Sequence, residues 1–412
     1  MEKLSYKIIG FGCRVNQYDA GSLVRELENL GFTAAEAAPS LVVINTCTVT
    51  QSAIKKDLKA VAKAKADYPG AKIAITGCLP VNYRAEALAA GVDFIAGVGE
   101  AAELIENIKE AFDAMPLGCN TSLTDQENHS RYFLKVQDGC RQFCSYCIIP
   151  YNRGELKSRT SQEVISEVRE AVAAGYQEFI LCGIHLGLYG VDLKDEKINL
   201  VELLEKILQI DGLGRIRLSS IEVTEVNDSL ISLMKRDRRM CQHLHIPLQS
   251  GNDKILKSMN RPYDTKYFKE RIDAVRASLP DVAVTTDVIV GFPGESEEDA
   301  MLTESFAREI NFSKLHVFPY SAHKKTPAYS FPDQVEIQER KKRSTSLQIV
   351  SNELEQKYKN KFVGNELSVI VDGRSSGKKF RGKTEYYFDI VFESLAPLRV
   401  GEIVRVRDWN FC

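Results

Sequence analysis

Residues Tyr132–Cys147 read YFLKVQDGCRQFCSYC, a short β-type run followed at once by three cysteines spaced C-x3-C-x2-C. Three thiolates this close can wrap one iron–sulfur cluster, because a soft iron site needs several sulfur ligands converging from a short loop. With only Cys140, Cys144 and Cys147 local, one iron of such a cluster lacks a protein thiolate and stays open to a substrate or cofactor. A zinc site is the alternative, although structural zinc normally takes four ligands in two paired groups.

Working outward from this stretch, Tyr132–Val136 is the first of six candidate strands. The others are Glu178–Cys182, Arg215–Ile221, His243–Leu248, Ala283–Val290 and Lys314–Tyr320, separated by helical segments such as Ser161–Ala174 and Val201–Ile210. Six β/α units in this span fit a full or partial β/α barrel, with chemistry expected at the carboxyl ends of its strands. Upstream, Lys7–Gly12, Leu41–Cys47, Lys72–Cys78 and Asp93–Gly97 read as buried parallel strands. They alternate with amphipathic stretches such as Ala20–Leu30 and Ile54–Tyr68, which suggests a small open α/β sheet. The polar stretch Pro116–Ser130 reads as a linker. Downstream, Gln334–Lys361 is charged and helical, with a basic cluster at Arg340–Arg343. Leu367–Val371, Tyr386–Phe392 and Glu402–Arg407 then look like strands of a small β-barrel. The fold class is therefore α/β, with a small all-β tail.

The whole chain has 412 residues, 54 Lys+Arg against 56 Asp+Glu, and ten cysteines. A net charge of -2 means that any nucleic-acid surface must be a local patch. From residue 361 onward nine Lys/Arg face seven Asp/Glu, concentrated around Lys378–Lys383; a solvated polar face explains such a tail equally well. The opening residues carry no long apolar core and no apolar run approaches membrane-spanning length, so neither a signal peptide nor a membrane span is expected. A reducing, cytoplasmic compartment is expected, where cysteines serve metal or redox chemistry more often than disulfides.

A second triplet is dispersed. Cys13, Cys47 and Cys78 each stand at or just past the carboxyl end of a predicted strand in the first sheet. Adjacent parallel strands would bring the three to one edge, where they could hold another three-thiolate cluster; singly, each could be an ordinary core side chain. Cys182 and Cys241 read as core, Cys119 falls in the linker and Cys412 is terminal. Gly10-Phe-Gly12 supplies only two glycines of a dinucleotide fingerprint, and no phosphate loop or H-E-x-x-H pattern occurs.

The spacing of Cys140, Cys144 and Cys147 resembles that of radical S-adenosylmethionine (SAM) enzymes. With Cys13, Cys47 and Cys78 added, the chain resembles the radical SAM methylthiotransferase family along nearly its full length. Lys135–Cys140 (KVQDGC), Cys147–Tyr151 (CIIPY), Arg153-Gly154, Gly183–Gly187 (GIHLG) and Leu218–Glu222 (LSSIE) are most similar to its threonylcarbamoyladenosine tRNA branch. The resemblance implies an amino-terminal methylthiotransferase domain over 1–112, a partial β/α barrel radical SAM core over 131–333, a connecting helix over 334–361 and a TRAM-like RNA-binding β-barrel over 362–412.

It also implies two 4Fe-4S clusters. Cys140, Cys144 and Cys147 would hold the radical cluster, and Cys13, Cys47 and Cys78 the auxiliary one. Tyr146 would lie beside the adenine of SAM and Gly183 would leave room for its methionine end. Ser220, Glu222, Gln249 and Asp287 would contact ribose or methionine, with ordinary strand-end hydrogen bonding as the alternative. One SAM would methylate a sulfur at the auxiliary cluster, and a second would yield the 5′-deoxyadenosyl radical that takes the C2 hydrogen of the modified adenine. The partners implied are a tRNA anticodon stem-loop, held by the tail and the Arg340–Arg343 cluster, and an external electron donor; no membrane is involved. The rivals are the isopentenyladenosine branch, the branch acting on a ribosomal-protein aspartate, and a non-catalytic zinc and RNA-binding module. One departure stands out: where the family often has Tyr-Ser-x-Arg-x-Gly-Thr, this chain reads YSAHKKT over Tyr320–Thr326, with His323 and Lys325 in place of the Arg and Gly. Lys324 and Lys325 could meet phosphate instead.

Overall fold

The computed structural model describes residues 4–116 and 130–412. Cys119 and most of the expected linker lie outside the described residues. The chain divides into two compact units. The first comprises residues 4–116 with Gly139–Arg141 and Cys147–Glu155; the second comprises 130–138, Gln142–Tyr146 and Leu156–Cys412.

In the first unit, strands β1 (Ser5–Gly10), β2 (Thr33–Ala34), β3 (Leu41–Thr46), β4 (Lys72–Gly77) and β5 (Phe94–Ile95) form one parallel sheet in the order β2-β1-β3-β4-β5. The central β3, LVVINT, is wholly buried, as a strand covered by helices on both faces must be. Its Leu41 and Val43 pack with Leu23 and Leu27 on one side, while Val42 and Ile44 pack with Ile54 and Val61 on the other. The helix Gln51–Asp67 starts where the Thr50 side chain accepts a hydrogen bond from the Ala53 amide. All four expected strands are present, ending one or two residues sooner than read.

The second unit opens with β6 (Tyr132–Lys135) and a two-stranded antiparallel pair, β7 (Gln137–Asp138) and β8 (Lys157–Ser158). Then follow β9 (Glu178–Cys182), β10 (Arg215–Leu218), β11 (His243–His245), β12 (Ala283–Val290) and β13 (Lys314–Pro319). They pair in parallel as β6-β9-β10 and β11-β12-β13, and the parallel bridges Ile216–Met240 and Ser220–His245 join the two groups. The result is the expected six-stranded β/α arrangement in sequence order. Its helices begin at built caps: Thr160 with Glu163, Asn199 with Glu202 and Ser296 with Asp299 form reciprocal capping boxes.

The helix Ile337–Asn360 leads to an antiparallel sheet in the order β17-β14-β15-β16-β18, where β14 is Leu367–Ser376, β15 Lys379–Thr384, β16 Asp389–Glu393, β17 Ile403–Val406 and β18 Trp409–Phe411. Two of its five strands, β15 and β18, go beyond the sequence reading. The sheet docks on the barrel through buried charge. Glu178, fully buried, accepts from Arg215 Nε at 2.6 Å and Arg217 Nε at 2.9 Å. The far ends of both guanidiniums donate to the carbonyls of Ser368, Lys383, Thr384 and Glu385 at 2.9–3.1 Å. His243 stacks on Tyr387 with ring centroids 4.4 Å apart.

Within the Arg340–Arg343 cluster, the two arginines have partners in the protein, while Lys341 and Lys342 are exposed. Arg340 donates to the Val335 and Tyr320 carbonyls and covers the Tyr320 ring, while Arg343 pairs with Glu295 at 2.6 Å and Glu339 at 3.1 Å. These two arginines fasten the connecting helix to the barrel.

Candidate cluster and cofactor sites

In the first unit, β1, β3 and β4 are neighbours with Gly10 opposite Asn45 and Thr46 opposite Gly77. Their carboxyl ends therefore fall on one edge. Cys13 follows β1 as the N-cap of the helix Arg14–Asn29, Cys47 is the first residue past β3, and Cys78 the first past β4. Their exposure is graded: Cys13 is open, Cys47 partly covered and Cys78 buried. Cys47 and Cys78 are both perturbed. Burial pushes Cys47 up, with Cys13 adding to it, and burial pushes Cys78 to about 12, with Cys47 and Cys13 adding. Gly12, at φ +103°, passes the edge where a Cβ would stand 3.0 Å from both Cys47 Cβ and Asn16 Nδ2.

A buried carboxylate lies under this edge. Asp57 Oδ2 accepts from the Cys47 amide at 2.8 Å, and burial raises Asp57 to about 7. Arg153 is the second unforeseen feature, its side chain wholly buried beside Cys47 and Cys78.

Cys140 and Cys147 also belong to the first unit. The Cys140 amide donates to the Gly154 carbonyl at 3.0 Å, and a Cβ on Gly139 would lie 1.8 Å from the Glu155 carbonyl oxygen, so no other residue fits there. The short helix Ile149–Arg153 after Cys147 is pinned by Asn152, whose Nδ2 donates to Thr48 Oγ1 at 2.6 Å and whose Oδ1 accepts from Asn82.

In the second unit, Cys144 is buried and Arg261 Nη1 donates to its sulfur at 3.1 Å. Arg261 also pairs with Glu222 and donates from Nε to Tyr263 Oη. Tyr146 packs against Ile255, Met259, Phe292, Tyr320 and Ala328. Gly183 stands just past β9, where a Cβ would come within 3.0 Å of Gln137 Oε1 and Leu186 Cα. The remaining expected contacts form a contiguous run. Ser220 bridges to His245, His245 Nε2 lies 3.2 Å from Asp287 Oδ1, and the Gln249 amide donates to the Asp287 carbonyl at 2.8 Å. Gln249, four residues past β11, has φ +68° and forms an isolated parallel bridge to Val288. Glu222 joins this run to the cysteine loop through Arg261. Tyr146 lies on the cysteine loop and Gly183, Ser220, Glu222 and Gln249 lie past strand ends, whereas Asp287 sits inside β12, three residues before its end and not at the carboxyl end expected.

The donor sets are sulfur throughout, which suits iron–sulfur chemistry better than a hard cation. Among the described residues no three His, Cys, Asp or Glu side chains converge to hold a single metal ion. A cluster asks for less closure, since its thiolates ligate different irons. His323, the departure from the family pattern, is buried, and its carbonyl accepts from the Thr326 amide and hydroxyl, while Lys324 and Lys325 are exposed. Cys182 and Cys241 are core residues as read, and Cys412 is exposed.

Residues 134–307 match the Radical SAM superfamily, and residues 5–97 match the family described as Uncharacterized protein family UPF0004. Over 96% of this chain and 92% of its own length, the Threonylcarbamoyladenosine tRNA methylthiotransferase MtaB of Bacillus subtilis is 36% identical. The protein of the same name from Chlamydia pneumoniae is 35% identical over 98% of this chain and 95% of its own. The chain belongs to the radical SAM methylthiotransferases. The tRNA-2-methylthio-N(6)-dimethylallyladenosine synthase of Carboxydothermus hydrogenoformans is 33% identical over 99% of this chain and 97% of its own. Among solved structures, the radical SAM methyltransferase TsrM from Kitasatospora setae aligns with a TM-score of 0.60 at 15% identity, covering 80% of this chain and 77% of that one. That likeness supports the fold alone. Membership makes this methylthiotransferase an enzyme that uses SAM with a 4Fe-4S cluster. Among the described residues no helix is long and apolar enough to cross a membrane.

Proposed function

We propose that this methylthiotransferase replaces the C2 hydrogen of N6-threonylcarbamoyladenosine, next to the anticodon of a tRNA, with a methylthio group. What carries the substrate choice is the 36% and 35% identity to two enzymes named for threonylcarbamoyladenosine, against 33% to one named for dimethylallyladenosine. The motifs around Cys140, Gly183 and Glu222 point the same way.

Cys140, Cys144 and Cys147 hold the radical cluster in this reading, and Cys13, Cys47 and Cys78 a second cluster at the edge of the first sheet. When bound, SAM and the radical cluster supply a 5′-deoxyadenosyl radical, the reagent an inert aromatic C–H requires. The chain's own part is placement. Arg261 holds Cys144 and neutralises Glu222. Tyr146 offers a ring to the adenine of SAM, and Gly183 leaves its methionine end space. Ser220, Gln249 and Asp287 present polar groups to its ribose and amino acid, with His245 fixing Asp287. No acid–base pair is needed, since the hydrogen leaves as an atom.

The domain assignment that goes with this reading is 1–112 for the methylthiotransferase domain, 131–333 for the radical SAM core, 334–361 for the connecting helix and 362–412 for a TRAM-like domain. The last would grip the anticodon stem-loop through phosphates. Support comes from Arg374, Lys379, Arg381 and Arg405 on its strands and Lys378 and Arg407 in its turns, all exposed. Electrons would come from a separate reductase. Nucleoside mass spectrometry on tRNA from cells lacking the gene tests the reading: methylthio-threonylcarbamoyladenosine should vanish while the isopentenyl analogue persists, and the opposite pattern selects the dimethylallyl substrate.

A further inference from the structure

Arg153 stands six residues after Cys147, yet its side chain ends in the first unit's cysteine edge. It is wholly buried. Nη2 donates to Asn16 Oδ1 at 2.9 Å and Nη1 to Asp19 Oδ2 at 3.2 Å, and the guanidinium also hydrogen-bonds the Cys78 side chain. Asn16 is itself fixed. Its Nδ2 donates to the Phe11 and Thr46 carbonyls at 2.7 and 2.8 Å, and its own carbonyl accepts from Asn45 at 2.6 Å. Phe11 and Thr46 immediately precede the turns that carry Cys13 and Cys47. The guanidinium is therefore registered against the very strand ends that present the thiols.

A buried arginine needs answering charge. Asp19 supplies some, but its side chain is 31% exposed and lies at the rim. Three thiolates would supply the rest, and a cation among them serves them in turn. An N–H donor and a positive charge beside a cluster sulfur favour the more reduced state. They also favour an added anion on the iron that lacks a protein thiolate.

We infer that Arg153 is the positioning residue and counter-charge of the second cluster, fixing Cys78 and drawing a sulfide or thiolate anion to the cluster's open iron. The inference rests on reading Cys13, Cys47 and Cys78 as cluster ligands.

The test uses the full chain carrying Cys140→Ala, Cys144→Ala and Cys147→Ala, which confines iron to the second site. Arg153→Gln and Arg153→Lys are added separately, each is reconstituted anaerobically, and iron is counted. Reduction is followed by electron paramagnetic resonance against potential, and sodium methanethiolate is titrated as the ligand probe. Arg153→Gln should keep its iron, titrate at a more negative potential, and bind methanethiolate about tenfold more weakly, the scale of a lost charge-assisted hydrogen bond. Arg153→Lys should fall between, returning charge without the planar fork. An Arg153→Gln protein with the parent potential and affinity overturns the inference while leaving the second cluster standing. Should that variant lose iron, Arg153→Lys decides: parent-like affinity overturns the inference, weakened affinity upholds it. A triple-cysteine variant that binds no iron removes the second cluster, and the inference with it.

Discussion

Arg261 Nη1 donates to the Cys144 sulfur at 3.1 Å, and the same guanidinium is the ion-pair partner of Glu222. One buried cation thus connects a cysteine of the C-x3-C-x2-C loop to the end of the third barrel strand. Arg261→Ala removes a partner that Glu222 and the Tyr263 hydroxyl both use. The expected outcome is a loss of about 3 kcal/mol in stability, the range for breaking a buried pair from one side. Urea melts of the iron-free protein read the stability, and anaerobic iron analysis should show the radical cluster partly lost.

Glu178 ties the barrel to the terminal sheet. Burial pushes its carboxyl up, but the guanidiniums of Arg217 and Arg215 outweigh burial and hold it at about 2. Because the native state releases this proton more readily than the unfolded chain, the contribution is complete above the ordinary value of 4.5 and is lost as pH falls through about 2. Glu178→Ala should cost about 3–5 kcal/mol at neutral pH. Glu178→Gln should flatten the acid limb of stability between pH 5 and the acid midpoint relative to the native chain, on the order of 1 kcal/mol per pH unit. Hydrogen exchange should report the damage first in β14 and β15, whose carbonyls the two arginines hold.

Much of this architecture is legible in the sequence. Runs such as LVVINT and AVTTDVIV leave little choice but buried parallel strands, and the three cysteines after β1, β3 and β4 follow from strand order. β15 is hidden because KFRGKT fills two of its three inward positions with Gly382 and Thr384, so the alternation carries one apolar side chain, Phe380. Glu178, Arg215 and Arg217 carry no signal of their own in the sequence; only pairing across neighbouring strands makes them a buried triad. Arg153 and Arg261 escape for the same reason, since each meets its cysteine through folding, not through sequence spacing. The Arg340–Arg343 run is hidden in another way: its sequence does not tell that Arg340 and Arg343 turn to carbonyls and carboxylates of the barrel while Lys341 and Lys342 stay exposed.

Cysteines separate by role. Cys182 and Cys241 are buried, and Cys182 donates to the Ile180 carbonyl at 3.2 Å. Cys182→Ala and Cys241→Ala should each retain full iron and cost about 1 kcal/mol as small core truncations. Cys13→Ala, Cys47→Ala or Cys78→Ala should each leave roughly half the iron, the share of one cluster of two. Iron assays after anaerobic reconstitution distinguish the two classes.

The terminal sheet offers exposed cations between buried partners, with Lys379 and Arg381 flanking Phe380 on β15. Lys379→Glu with Arg381→Glu should weaken tRNA binding about tenfold at moderate salt and reduce its salt dependence, since phosphate contacts act through counterion release. Filter binding at several salt concentrations measures both, and unchanged melting shows that the fold is intact.

The most direct test is the reaction itself. Anaerobically reconstituted protein is supplied with SAM, sulfide and dithionite, together with tRNA carrying either threonylcarbamoyladenosine or isopentenyladenosine beside the anticodon. The products are read by nucleoside mass spectrometry. The expected outcome is that threonylcarbamoyladenosine gains a methylthio group at C2 while isopentenyladenosine is recovered unchanged. Methylthiolation of isopentenyladenosine alone, or of neither by protein loaded with both clusters, would contradict it.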